Sequence, residues 1–174
     1  MKNLLTILIL MISLSAHAFN SDDADKSGDA LRTALPLAAL YTTILHNDKE
    51  GAVQFSESFL ANVAATYALK ETVKKDRPDD SGDDAFPSGH ASVTFQSATF
   101  LQMRYGSAYG IPAYLAAGYT AWTRLAADKH DETDIIAGAI IGAASAYFLT
   151  TPQVSVMPYI DKKSAGVSIS FKLP

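Results

Sequence analysis

Apolar positions through the middle of the chain recur at helical spacing, and towards its end they alternate. The spacing predicts a helix over residues 31–45, with Pro36 near its first turn, where proline is tolerated. Asn47, Asp48 and Gly51 mark a connecting turn. A second helix is expected over 53–75, with Phe55, Phe59, Val63 and Tyr67 on its core face and Pro78 ending it. A third should run from near Ser88 to just before Gly106, followed by a loop over 106–112. A fourth is expected over 113–126, a polar turn over 127–132 and a fifth helix over 133–149. In the last helix Gly138 and Gly142 stand four apart, a pattern that lets a neighbour approach closely. Because alanine and glycine add little lipid affinity, this helix is expected to be buried and central. Val154 and Val156, then Val167, Ile169, Phe171 and Leu173, alternate as in a β-hairpin, which needs something to pack against. The expected fold is all-α: a compact bundle of about five helices over 31–150, with a small C-terminal β-hairpin over 151–174.

The first residues follow another pattern. Lys2, a short apolar run over 4–14 and the small-x-small triplet Ala16-His17-Ala18 read as a signal peptide over 1–18. The run is shorter than the roughly 20 residues a spanning helix needs. Residues 19–30 are acidic and small and read as a loose leader. These features predict a secreted, periplasmic chain with no transmembrane span after cleavage, able to reach lipid headgroups from the membrane surface.

Composition narrows the chemistry. Of the 174 residues 48% are hydrophobic and 18% charged, with a formal net charge of −4. No basic field is available for nucleic acid, so an anionic ligand has to be captured by a local cluster of cations. The absence of cysteine excludes disulfides and thiol chemistry. No metal-ligand cluster is visible, and neither a metal nor a cofactor is expected.

Three clusters carry candidate chemistry. Lys70 and Arg77 lie two helical turns apart and project from similar faces, although alone they would pass for a solvated helix end. Pro87-Ser88-Gly89-His90 opens a helix, where free amides bind phosphate oxygens; Gly89 permits close approach and His90 has the chemistry to give a proton to a departing oxygen. In the third cluster Arg124 offers a planar fork to phosphate. His130 and Asp134 stand four apart, so the carboxylate can accept one ring N–H and leave the other nitrogen free to attack. A specified tetrapeptide such as residues 87–90 occurs by chance in about one chain of this size in a thousand, and the other two clusters must then also appear in order.

Together these stretches resemble the type 2 phosphatidic acid phosphatase superfamily, which also includes bacterial acid phosphatases and vanadium haloperoxidases. The resemblance covers residues 53–149 and rests on a lysine followed by Arg-Pro (Lys70, Arg77, Pro78), on Pro-Ser-Gly-His, and on an arginine, histidine and aspartate at the family's spacing. Thr123 stands where the family usually has serine, and keeps the hydroxyl. The resemblance implies a metal-independent phosphatase acting on phosphate monoesters or pyrophosphates, including lipid-linked ones. It implies His130 as nucleophile forming a phosphohistidine, Asp134 orienting it and His90 as acid then base. Lys70, Arg77 and Arg124 would neutralise the phosphate, with Ser88, Gly89 and Thr123 adding hydrogen bonds. Two other readings use the same residues: a vanadium-dependent haloperoxidase, and a non-enzymatic envelope protein. The acidic run Asp79, Asp80, Asp83 and Asp84 reads as a solvated loop, because it lacks the length and terminal glutamate of a calcium site. Tyr105, Tyr109 and Tyr114 are expected to pack between helices.

Overall fold

The computed structural model describes residues 21–152, 154–161 and 164–171; the expected signal peptide lies outside them. Among the described residues the chain forms five helices: α1 (Ser21–Leu45), α2 (Lys49–Thr72), α3 (Gly89–Tyr105), α4 (Ser107–Ala126) and α5 (Glu132–Leu149). Helix α3 is the central one, packing against all four others. Ser88 caps its start, accepting the Ala91 N–H. At its far end Arg104 holds the α1–α2 turn through two 2.7 Å bonds to the Asp48 carboxylate, which itself caps α2.

The apolar core is thin and built largely from small residues. Leu31, Leu35 and Ala39 of α1, Phe55 of α2, Phe100 and Leu101 of α3, and Ala113, Ala116 and Ala117 of α4 form one cluster. Beside it runs a buried polar seam between α2 and α3. There Ser92 Oγ donates to Asn62 Oδ1 at 2.6 Å and Gln96 Nε2 donates to Ser58 Oγ at 2.9 Å. These bonds offset part of the cost of burying the polar groups, although Asn62 Nδ2 is buried with no partner among the described residues. The face of α2 that is buried therefore consists of Gly51, Phe55, Ser58, Asn62 and Thr66, while Tyr67, expected in the core, is exposed.

Helix α5 meets α3 through its glycines. A Cβ on Gly138 would lie 2.3 Å from the Ser88 carbonyl oxygen, and one on Gly142 would lie 2.0 Å from that of Ser92. Gly142→Val should therefore force the two helices apart and destabilise the fold by about 1–3 kcal/mol or more. A thermal melt reads this loss, and an unchanged midpoint would contradict the packing.

Close approach on one side does not make α5 the buried central helix expected of it. It is long and apolar enough to cross a membrane, with a mean hydropathy of 1.3 over 18 residues and only 22% of that stretch buried. Ile136, Ile140, Tyr147 and Phe148 face outward. Polar side chains share the interior with the small apolar core, while α1, α2 and α4 also expose Leu37, Ile44, Leu60 and Leu115. The expectation of a periplasmic chain with no membrane-crossing segment is overturned by this helix.

Three boundaries also differ. The expected loose leader is helical: α1 begins at Ser21, with Asp22 and Asp23 in its first turn, where carboxylates suit the helix dipole, and Ala24 and Gly28 buried. Helix α4 begins at Ser107, so most of the expected 106–112 loop is helix and Pro112 sits inside it. Helix α2 ends at Thr72, and residues beyond it fold back, with Lys75 N–H bonded to the Asp83 carbonyl and Arg77 N–H to that of Gly82. The all-α body is the part of the fold that positions the site. Beyond it the backbone pairs Val154–Asp161 (β1) with Ser164–Phe171 (β2) in antiparallel register. Whether that segment packs as the expected hairpin tail falls outside the described side chains.

Candidate active site

Five pieces of chain converge at one end of α3. The first turn of α3 brings Ser88, Gly89 and His90. The end of α2 and its fold-back bring Lys70, Lys75 and Arg77. The last turn of α4 brings Thr123 and Arg124, the turn into α5 brings His130 and Asp134, and α1 brings Asp25 and Asp29. Local bonds fix each junction. Ser88 N–H donates to the Asp134 carbonyl at 2.9 Å, tying the start of α3 to the start of α5. Asp131 caps α5 by accepting from the Thr133 and Asp134 N–H groups, and the Asp134 carboxylate accepts from the Asp131 N–H at 3.1 Å, completing a reciprocal capping box. The Arg124 carbonyl accepts from Lys129 and His130 N–H groups, which fixes the turn between α4 and α5.

Most of the sequence-derived residues are brought together and buried. Ser88, Thr123 and Asp134 are fully buried, and His90, Arg124 and His130 nearly so. His130 Nδ1 lies 3.6 Å from Asp134 Oδ2, outside hydrogen-bond length, and has no other bonding partner among the described residues. Arg124 Nε is likewise buried with no partner among them. Burial, followed by the positive charges of Lys70 and Arg77, pushes His130 well below the usual histidine range, so the ring is neutral near neutral pH; Asp134 works in the opposite direction. Burial also lowers Lys70, with Arg77 adding to it and Asp84 opposing. A Cβ on Gly89 would lie 3.9 Å from Lys70 Cε, so this cation sits beside the start of α3. Thr123 turns its hydroxyl to the Thr120 carbonyl at 2.7 Å.

The acidic run is not a solvated loop throughout. Asp84 accepts from Arg77 Nε at 2.8 Å, and its carbonyl accepts from Lys70. Asp79 pairs with Lys129 at 2.5 Å. These carboxylates are anchored by cations, which removes much of the repulsion that four free aspartates would direct at an anion.

Sequence reasoning missed three residues. Lys75 Nζ bridges Asp131 Oδ2 at 2.6 Å and Asp134 Oδ1 at 2.7 Å. Burial opposes the charge of Lys75, but the two carboxylates outweigh it and hold the amine protonated. Asp25 Oδ1 lies 2.6 Å from an Arg124 terminal nitrogen, and Asp29 Oδ1 lies 2.6 Å from His90 Nε2. A helical signal was available for the two aspartates: Ala24, Gly28, Leu31 and Leu35 recur at the spacing of one buried face, which puts Asp25 and Asp29 side by side at its edge.

Residues 72–155 match the model of the PAP2 superfamily. A stretch of 69 residues is 33% identical to the lipid A 1-phosphatase of Porphyromonas gingivalis, covering 38% of this chain and 16% of that longer protein. The fold is similar to the crystal structure of Aquifex aeolicus LpxE, with a TM-score of 0.65 and 18% identity over 82% of this chain and 93% of that one. The matched segment contains Arg77, the Pro-Ser-Gly-His turn, Arg124, His130 and Asp134.

Proposed function

We propose that this chain is a lipid phosphatase that transfers phosphate to His130 and then to water. The observation that carries this reading is the setting of His130: a buried imidazole, held neutral, with the Asp134 carboxylate facing Nδ1 and the charges of Lys70, Arg77 and Arg124 acting on it. A neutral imidazole has a lone pair on Nε2 to form the N–P bond. As the P–O bond to the leaving group breaks, His90 supplies the proton that the departing oxygen takes. The imidazolium character gained by His130 is stabilised by Asp134. In the second step water attacks phosphorus, His90 takes its proton, the N–P bond breaks and inorganic phosphate leaves. Lys70, Arg77 and the Arg124 fork stabilise the charge on the phosphoryl oxygens, assisted by Ser88 and Gly89, while the Thr123 hydroxyl, bonded to the Thr120 carbonyl, would have to turn to join them. The buried Arg124 Nε, which has no protein partner, is a donor of the kind a phosphoryl oxygen satisfies.

A lipid substrate is supported by where the site stands on the fold. His130 and Asp134 lie at the polar start of α5, the helix long and apolar enough to cross a membrane, so the reacting atoms would meet phosphate at the level of lipid headgroups. A relative named for lipid A points to the same class. The full chain in detergent micelles or vesicles should release phosphate from lipid phosphates, lipid A 1-phosphate among them, faster than from small soluble esters. Equal or greater rates with soluble esters would remove the lipid from the proposal.

A further inference from the structure

We propose that Asp29, from the helix that opens the described chain, is the positioning residue of the proton donor, holding the His90 ring through Nε2 so that Nδ1 serves the reaction. The proposal rests on the phosphatase reading above and adds to it a residue from outside the three motifs.

His90 sits in the first turn of α3 and is almost fully buried, while Asp29 on α1 is largely exposed; Asp29 Oδ1 and His90 Nε2 are 2.6 Å apart. At that length Nε2–H donates to the carboxylate, which fixes the ring plane, and Nδ1 has a proton for the departing oxygen when the ring is in its imidazolium form. The other charged groups acting on His90 are Arg124 from α4 and Arg32 from α1. Both are positive, and both oppose a protonated ring, as do burial and the positive end of α3. A proton donor has to carry its proton when the P–O bond breaks, yet burial and then Arg124 hold His90 below the usual histidine range. Asp29 opposes them, favouring the protonated ring both by its hydrogen bond and by its charge. The same oxygen lies 3.8 Å from Arg124 NH1, so the carboxylate also links the proton donor to the phosphate-binding fork.

The placement of Asp29 is built into the packing. A Cβ on Gly28 would lie 2.3 Å from Thr123 Oγ1 and 3.2 Å from Arg124 NH1. Glycine at this position brings α1 into contact with the end of α4, and the next residue, Asp29, then reaches the His90 ring. With Asp134 facing His130 and Asp29 bonded to His90, each imidazole has its own carboxylate.

The test compares Asp29→Asn, Asp29→Glu and the unaltered full chain on two phosphate monoesters: an alkyl phosphate, whose alkoxide leaving group needs a proton, and 2,4-dinitrophenyl phosphate, whose leaving group does not. The quantity read is kcat/KM, which reports the first chemical step. Asp29→Asn should lose on the order of 10²-fold on the alkyl ester and less than about threefold on the dinitrophenyl ester, while Asp29→Glu regains much of the alkyl activity. A thermal melt confirms that the asparagine variant is folded. Equal loss on both esters, or no loss on the alkyl ester, overturns the role of Asp29. His130→Ala run alongside separates the two claims: activity that survives it refutes His130 as the nucleophile of the phosphatase reading, whereas Asp29 variants that do not discriminate between the two esters refute the role of Asp29 alone.

Discussion

Replacing His130 with alanine should reduce phosphate release by about 10⁴-fold or more, the scale of loss seen when a nucleophile is removed. The size follows from how little else can take its place. His130 is 3% exposed, is kept neutral by burial and neighbouring cations, and has Asp134 facing the nitrogen that does not attack. His90 is committed to Asp29 through Nε2, and His46 packs against Tyr105 and edge-on to Tyr109 at the other end of α3. Neither offers a second imidazole in the same position. The backbone of residue 130 is held by its N–H bond to the Arg124 carbonyl, which the substitution leaves in place, so the variant should fold. Activity within tenfold of the unaltered chain would assign the reaction to other residues.

Arg124→Lys should lower kcat/KM by about 10²- to 10³-fold, most of it in kcat, although the charge is unchanged. Arg124 spreads its donors over several positions at once: one terminal nitrogen meets Asp25 at 2.6 Å, the other lies 3.8 Å from Asp29, and Nε is buried with no partner. A lysine ammonium is a single point of charge and cannot hold the α1 carboxylates while presenting a donor to phosphate. The structural role of residue 124 lies in its carbonyl, which accepts from Lys129 and His130 and survives the change. Steady-state kinetics on the folded variant measure the loss, and an unchanged kcat/KM would show that the fork has no part in the reaction.

What could be read from the sequence is what is local. His130 and Asp134 share one helix start, Ser88 to His90 share one turn, and all five helices are outlined in the sequence, with shifted bounds. What could not be read depends on contacts across the fold. Asp25 and Asp29 reach Arg124 and His90 from about 100 and 60 positions away, and acidic residues near a chain start look like solvated leader until the buried Ala24 and Gly28 are seen as one face. Lys75 was passed over because a lysine at a helix end has an ordinary explanation; its bond to Asp134 depends on the fold-back that pairs Lys75 with Asp83 and Ala85. Helix α5 was misread because its glycines describe only the side facing α3. The outward Ile136, Ile140 and Phe148 are indistinguishable from core residues when the neighbours are unknown.

The most direct measurement is trapping of the reaction intermediate. The full chain is mixed with a lipid phosphate, quenched in alkali within one turnover and digested, and the peptide carrying His130 is analysed by mass spectrometry. A phosphoryl group on His130, appearing with substrate and missing from the Asp134→Ala and Arg124→Lys chains at the same time point, is the expected result. Rapid phosphate release with an unmodified His130 peptide at every time point would contradict a mechanism that passes through this imidazole.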